Sequence, residues 1–165
     1  MANPELTAAE LRHLLDYNPD TGIFTWRNPL SNVVRKGDVA GSPGSHGGYL
    51  GIGIKGGLFR ASRLAWLYVT GEWPANVIDH INGDKRDDRF CNLRDVPQRV
   101  NTENLKSARR TSSTGLLGVT PFEGKFMAKI GANGKQNYLG LFDTAEEASA
   151  AYLEAKRRLH EGCTI

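Results

Sequence analysis

The apolar positions along the chain switch between helical and strand spacing, and the switches divide the sequence into three blocks. In the first, residues 5 to 16 read "ELTAAELRHLLD". Leu11, Leu14 and Leu15 fall on one helical face, and Thr7 with Glu10 fits a capping box, so a short helix is expected to open the fold. "NPDTG" then supplies a turn, and "IFTW" suits a strand. Between residues 37 and 57, Leu50, Ile52 and Ile54 alternate with Gly51 and Gly53, which predicts turns around a hairpin. The glycines lack the strand-to-helix context and the lysine of a phosphate-cradling loop. "RASRLAWLYVTGEWP" places Leu64, Leu67 and Tyr68 at helical spacing, with Ser62 as the expected N-cap, Gly71 past the end and Pro74 beyond.

The second block, "VIDHINGDKRDDRFCNLRDVPQRVN", reads as strand, loop, strand, helix. Val77 and Ile78 form a strand that delivers Asp79 and His80 at its end, and "NGDKRDD" is too polar and turn-rich to continue it. A second short strand runs around Leu93 to Val96. Pro97 suits a helix start, and Val100 and Leu105 give a helix that carries Asn101 on its first turns. The next residues, "RVNTENLKSARRTSS", hold Arg99, Lys106, Arg109 and Arg110 against one acid, Glu103. These cations read either as a solvated helix end or as contacts to a DNA backbone. "TSST", residues 111–114, is a natural linker.

The third block changes period again. Val119 begins one strand, "KFMAKI" alternates as a second and "NYLGLF" forms a third, with "FEG" and "ANGK" as turns. Thr144 and Glu147 make another capping box, and Ala148, Ala151, Tyr152, Ala155 and Leu159 line one face of the helix that follows. Glu146, Glu147, Lys156, Arg157 and Arg158 complement its dipole. If Phe126, Ala128 and Ile130 point toward this helix, Lys125, Met127 and Lys129 face outward, and a basic open sheet face can read a DNA groove.

Length and charge add bounds. The 165 residues suffice for one ordinary domain or two small ones, and Lys plus Arg exceed Asp plus Glu by 21 to 18, which permits an anionic partner without requiring one. No apolar run approaches the roughly 20 residues of a membrane span, and the first residues lack the basic and apolar regions of a signal peptide, so a cytoplasmic protein is expected. Cys91 and Cys163 stand far apart with no Cys-x-x-Cys spacing and read as ordinary thiols. His13, His46 and His160 have no matching partners in sequence and read as surface residues. The acidic loop lacks the glycine and terminal glutamate of a calcium loop.

The chemistry therefore concentrates in the second block. Asp79 and Asn101 offer hard oxygen donors which, with phosphate oxygens and water, suit one Mg²⁺ or Mn²⁺ ion. His80 is left to act as a base near neutral pH, and Asn92 holds either the imidazole or the loop. The Asp-His, Asn-Leu-Arg and downstream Asn, with the flanking "RLAW" and "GEWP", resemble the HNH endonucleases of phages and mobile introns over about residues 58 to 106. The resemblance implies a ββα-metal fold with Asp79 and Asn101 as metal ligands, His80 activating water, and Asn92 orienting His80 and tying the two strands together. The chain departs from that family at Asp87-Asp88-Arg89, where Asp-Asn-Arg is usual, and at Ser62, where His is usual.

Residues 115 to 160 resemble the AP2 DNA-binding domain through Gly118-Val119, "GKFMAKI" and "YLGLFDTAEEASAAY". That likeness implies that Thr120, Lys125, Lys129, Gln136 and Tyr138 meet DNA in the major groove, although the family's strand arginines and tryptophans are replaced here. The expected protein is α+β, with an N-terminal helix and hairpin region at 1–57, a nuclease core at 58–110, a linker at 111–114 and an AP2-like domain at 115–165. Its expected function is a metal-dependent homing endonuclease acting on double-stranded DNA, as a monomer or weak dimer without an obligate protein partner. A DNA-binding regulator on an inactive nuclease scaffold and an RNA-binding or phage accessory protein are the alternatives.

Overall fold

The structure, a computed structural model, describes residues 6–165, and of residues 44–46 the backbone alone. Glu5, the expected first residue of the opening helix, and the side chain of His46 lie outside the described residues. The chain forms two compact units, Met1–Pro97 and Gln98–Ile165. This division falls ahead of the 111–114 segment that the sequence marks as a linker. The architecture is mixed, with small antiparallel sheets and short helices.

In the first unit, α1 (Ala8–Leu14) has the expected capping box: the Thr7 hydroxyl accepts from the Glu10 backbone N–H, and the Glu10 carboxylate accepts from the Thr7 N–H at 3.0 Å. Lys55 and these Thr7 bonds hold the Glu10 carboxyl down at about 2. The helix ends earlier than its leucines suggest. Leu15 and Tyr17 turn inward on β1 (Leu15–Asn18), which pairs antiparallel with β2 (Ile23–Trp26) and buries Phe24. Two further hairpins follow through β3 (Ser42–His46), β4 (Tyr49–Ile54) and β5 (Gly57–Arg60), one more strand than the glycine pattern showed.

Helix α2 (Ala61–Thr70) starts directly after β5. Arg60, not Ser62, is therefore the N-cap, and Ser62 is buried inside the first turn. Gly71 ends the helix in the left-handed conformation, as its position predicts. β6 (Val77–His80) and β7 (Leu93–Val96) then form an antiparallel ribbon. One core joins all these elements: Leu11, Leu14, Leu15, Phe24, Ile52 and Ile54 pack with Leu64, Leu67, Ile78 and Leu93.

The second unit begins with α3 (Gln98–Glu103), shorter than expected and leaving Leu105 exposed. β8 (Val119–Phe122), β9 (Lys125–Ala132) and β10 (Lys135–Phe142) form a meander with β9 in the centre. Asn133 and Gly134 both take positive φ (52° and 73°) in the tight turn between β9 and β10, which suits a right-twisted hairpin. Ala128 and Ile130 are buried, and α4 (Ala145–Leu159) packs on the sheet behind the Thr144–Glu147 capping box. Lys156, read from the sequence as one of the bases that complement the helix dipole, is buried and donates to the Leu105 carbonyl, and burial lowers its pKa. His160 is also only partly exposed and bonds to the Gly131 carbonyl at 2.7 Å.

Candidate active site and sheet face

β6 places Asp79 opposite Arg94 of β7, and His80 opposite Leu93. Successive strand residues project to opposite sides, so the two side chains have separate partners. The Asp79 Oδ2 atom accepts from Arg94 Nε at 2.9 Å and pairs with Nη2 at 2.7 Å. The His80 imidazole, 4% exposed, meets the carboxylate of Asp88, 2% exposed, with Nε2 and Oδ1 2.9 Å apart. A carboxylate accepts and a ring N–H donates, so this contact suits an imidazole that presents its Nε2–H to Asp88.

The loop between the ribbon strands is held by its own polar side chains. Asn92 donates to the Asp87 carbonyl (2.8 Å) and to Asn82 Oδ1 (3.1 Å), and accepts from the Asn82 backbone N–H (2.9 Å). Its bonds thus go to the loop, while the imidazole's carboxylate partner is Asp88. Arg89 grips both oxygens of Asp87 at 2.7 and 2.6 Å, and this pairing holds the Asp87 carboxyl down at about 2.

Asp88 is anchored from the distant β1–β2 hairpin. The buried Tyr17 hydroxyl donates to the Asp88 carbonyl at 2.7 Å, Phe90 N–H donates to the Pro19 carbonyl, and Gly22 lies directly against the Asp88–Arg89 peptide. Burial, with Asp88 close by, pushes the Tyr17 phenol above its ordinary pKa. Sequence reasoning did not single out Asp88. The available signal was its place in the Asp87-Asp88-Arg89 triplet, where the resembling family differs.

The segment that contains this geometry is recognisable. Residues 59–103 match a family model described as HNH endonuclease. The match supports a nuclease, and it covers β5 from Phe59, α2, the β6–β7 ribbon and α3. No curated protein and no solved structure matches the chain.

Among the described residues no cluster of three or more His, Cys, Asp or Glu side chains is arranged to hold a metal ion. The proposed donors are one carboxylate, Asp79, and one carboxamide, Asn101, a partly exposed residue of α3. Both are hard oxygen donors of the kind Mg²⁺ and Mn²⁺ accept alongside water and phosphate, so the donor chemistry fits such an ion. Arg94 is a built-in competitor for the Asp79 carboxylate.

In the second unit, cross-strand register pairs Thr120 with Met127, Lys129 with Tyr138, and Gln136 with Gly131. These residues share the sheet face, and Tyr138 is 59% exposed. An open groove of about 830 Å³ runs between this face and residues 105–118, and gathers Arg109, Thr120, Lys129, Gln136 and Tyr138. Lys106, Arg110, Arg99 and Lys125 are not part of its lining. Arg99 pairs with Glu103 (2.6 Å) and Glu161 (3.0 Å), and Lys125 pairs with Asp143 (2.8 Å). No helix among the described residues is long and apolar enough to cross a membrane.

Proposed function

We propose that the protein is a divalent-metal-dependent DNA endonuclease of the phage or intron homing type, in which the β6–β7 ribbon performs hydrolysis and an AP2-like sheet reads duplex DNA. The observation that carries the reading is the buried His80–Asp88 pair inside the segment that matches the HNH endonuclease model. A histidine buried on a carboxylate keeps one tautomer and one orientation, which is the preparation a general base needs. His80 Nδ1 takes the proton of the attacking water, and Asp88 steadies the positive charge that the ring then acquires. Asn92 keeps the loop wound so that Asp88 stays in place. A bound Mg²⁺ or Mn²⁺ would supply charge neutralisation at the phosphodiester, with Asp79 and Asn101 as its protein donors.

In the second unit, Thr120, Lys129, Gln136, Tyr138 and Arg109 offer mixed donors, acceptors and charge along one groove. Arg99 and Lys125 meet phosphate only by exchanging existing carboxylate partners, while Lys106 and Arg110 add exposed positive charge. Supercoiled plasmid incubated with Mg²⁺, with Mn²⁺ or with chelator tests the reading. Nicked or linear product is expected only with metal, and His80→Ala should reduce the rate by about 10² to 10⁴ without loss of DNA binding.

The Arg94–Asp79 pair favours one alternative, a DNA-binding protein whose nuclease scaffold does not turn over. Tight DNA binding with no metal-dependent cleavage would establish that alternative.

A further inference from the structure

Beside the His80–Asp88 pair stands a group that no part of the hydrolytic scheme uses. Tyr49, the first residue of β4, lies with its ring centroid 5.7 Å from that of His80. Two cations sit over the same tyrosine ring: Arg60 at the end of β5, 4.4 Å from its centroid, and Lys85 of the 81–89 loop, 5.0 Å away. One hairpin and a loop well beyond it in sequence thus bring two positive charges to one aromatic ring next to the imidazole.

Neither cation is paired with a carboxylate among the described residues. The contrast with Arg94, Arg89 and Arg27, which all hold acids in this unit, is informative. Lys85 is also held in place: Nζ donates to the Gly47 carbonyl at 3.0 Å, which uses one of its three N–H donors and leaves two. Arg60 caps α2 through its backbone alone, so its guanidinium donors are not committed to the helix. Both residues are exposed. An aromatic face attracts cations but does not neutralise them, so the net charge stays available to an anion.

We infer that Arg60 and Lys85, aligned by Tyr49, form a clamp for a backbone phosphate of the DNA strand that flanks the bond presented to His80. The inference rests on the nuclease reading only for the identity of the ligand. A phosphodiester fits because an ammonium and a guanidinium fork, 5.0 and 4.4 Å from the centroid of the same ring, both keep uncommitted donors for an anion beside the imidazole. The clamp would fix the register of the strand, a positioning task distinct from the proton transfer at His80.

The test uses the full chain and a fluorescent DNA duplex, with Arg60→Ala/Lys85→Ala, Arg60→Lys and the unaltered protein. Binding is measured in chelator at several salt concentrations, and cleavage is measured with Mg²⁺. The double variant is expected to fold normally, to lose about one unit of the slope of log affinity against log salt, and to raise KM while kcat changes by less than about threefold. Arg60→Lys, which keeps the charge, should keep most of the slope. Unchanged affinity and slope in the double variant would overturn the clamp, as would a loss confined to kcat. If the unaltered protein does not cut DNA but the slope change appears, the nuclease reading fails and the clamp stands.

Discussion

Gly22 is 58 positions from His80 in sequence, yet substituting it should disable the proposed active site. It sits in the β1–β2 turn at φ +73°, and a Cβ there would stand 2.5 Å from Arg89 N and 2.6 Å from Asp88 C. Ordinary contact begins at 3.4 Å, so the peptide would have to retreat by about 0.8 to 0.9 Å. Both obstructing atoms are backbone, and no rotamer change relieves them. The left-handed conformation costs about 1–2 kcal/mol for alanine, and forced overpacking about 1–3 kcal/mol more. Gly22→Ala is therefore expected to destabilise the first unit by about 2–5 kcal/mol. At about 4–8 °C per kcal/mol for a unit of this size, its melting temperature should fall by at least ~8 °C. The same retreat moves the Asp88 carboxylate off His80, and a displacement near 1 Å costs about 10²-fold in rate. Thermal melts and plasmid cleavage, the latter well below the variant's melting temperature, read the two effects. Gly37→Ala is the control: φ is +90° but no atom lies within 4 Å of the added Cβ, so it bears the conformational cost alone and should keep its rate. A folded Gly22→Ala protein with unaltered rate, or one no less stable than Gly37→Ala, would refute the reasoning.

Asp88→Ala should leave the His80 Nε2–H without its buried acceptor, costing about 1–3 kcal/mol of stability; imidazole ¹⁵N shifts should show the fixed tautomer in the unaltered protein and a mixture in the variant. The Asp87 carboxyl, held at about 2 by Arg89 against an ordinary 3.8, contributes stability that is fully present above pH 3.8 and lost as pH falls through 2. Carboxylate NMR titration should place its midpoint near 2, and a midpoint near 3.8 would mean that the Arg89 pair does not persist in solution. Lys129→Ala should reduce the salt slope of DNA binding by about one unit, measured by anisotropy on duplex DNA, while an unchanged slope would remove the open sheet face from the DNA interface.

Features set by near neighbours were legible in the sequence. Both capping boxes, the Gly71 helix end, the β6–β7 strands and the Asn133–Gly134 turn follow from residues within a few positions of one another. Pairing across long separations was not. Leu15 continues the helical leucine pattern, and only its pairing with Trp26 turns it into a strand residue. Asp88 reads as one more acid in a solvated loop, because its burial is imposed by Tyr17 and Gly22 some seventy residues earlier. The Lys125–Asp143 and Arg99–Glu161 pairs were hidden because their partners lie far apart along the chain, whereas Glu103, the other partner of Arg99, is only one helical turn away. Asp79 and His80 stood out through spacing, but the division of partners between Arg94 and Asp88 required the register of the ribbon.

The shared core of the first unit bears on how such a site can be moved by recombination or by design. Among the described residues, nine of its fifteen buried side chains come from before Phe59, where the recognisable nuclease segment begins, and six from after it. Excising residues 59–103 would strip Leu64, Leu67, Ile78 and Leu93 of their packing partners Leu11, Leu15, Phe24, Ile52 and Ile54, and would leave Asp88 without the hairpin that seats it. A crossover point near residue 58 thus breaks the core that seats His80 and Asp88, whereas one at Pro97 leaves that core entire and removes only Asn101, the metal donor proposed from α3.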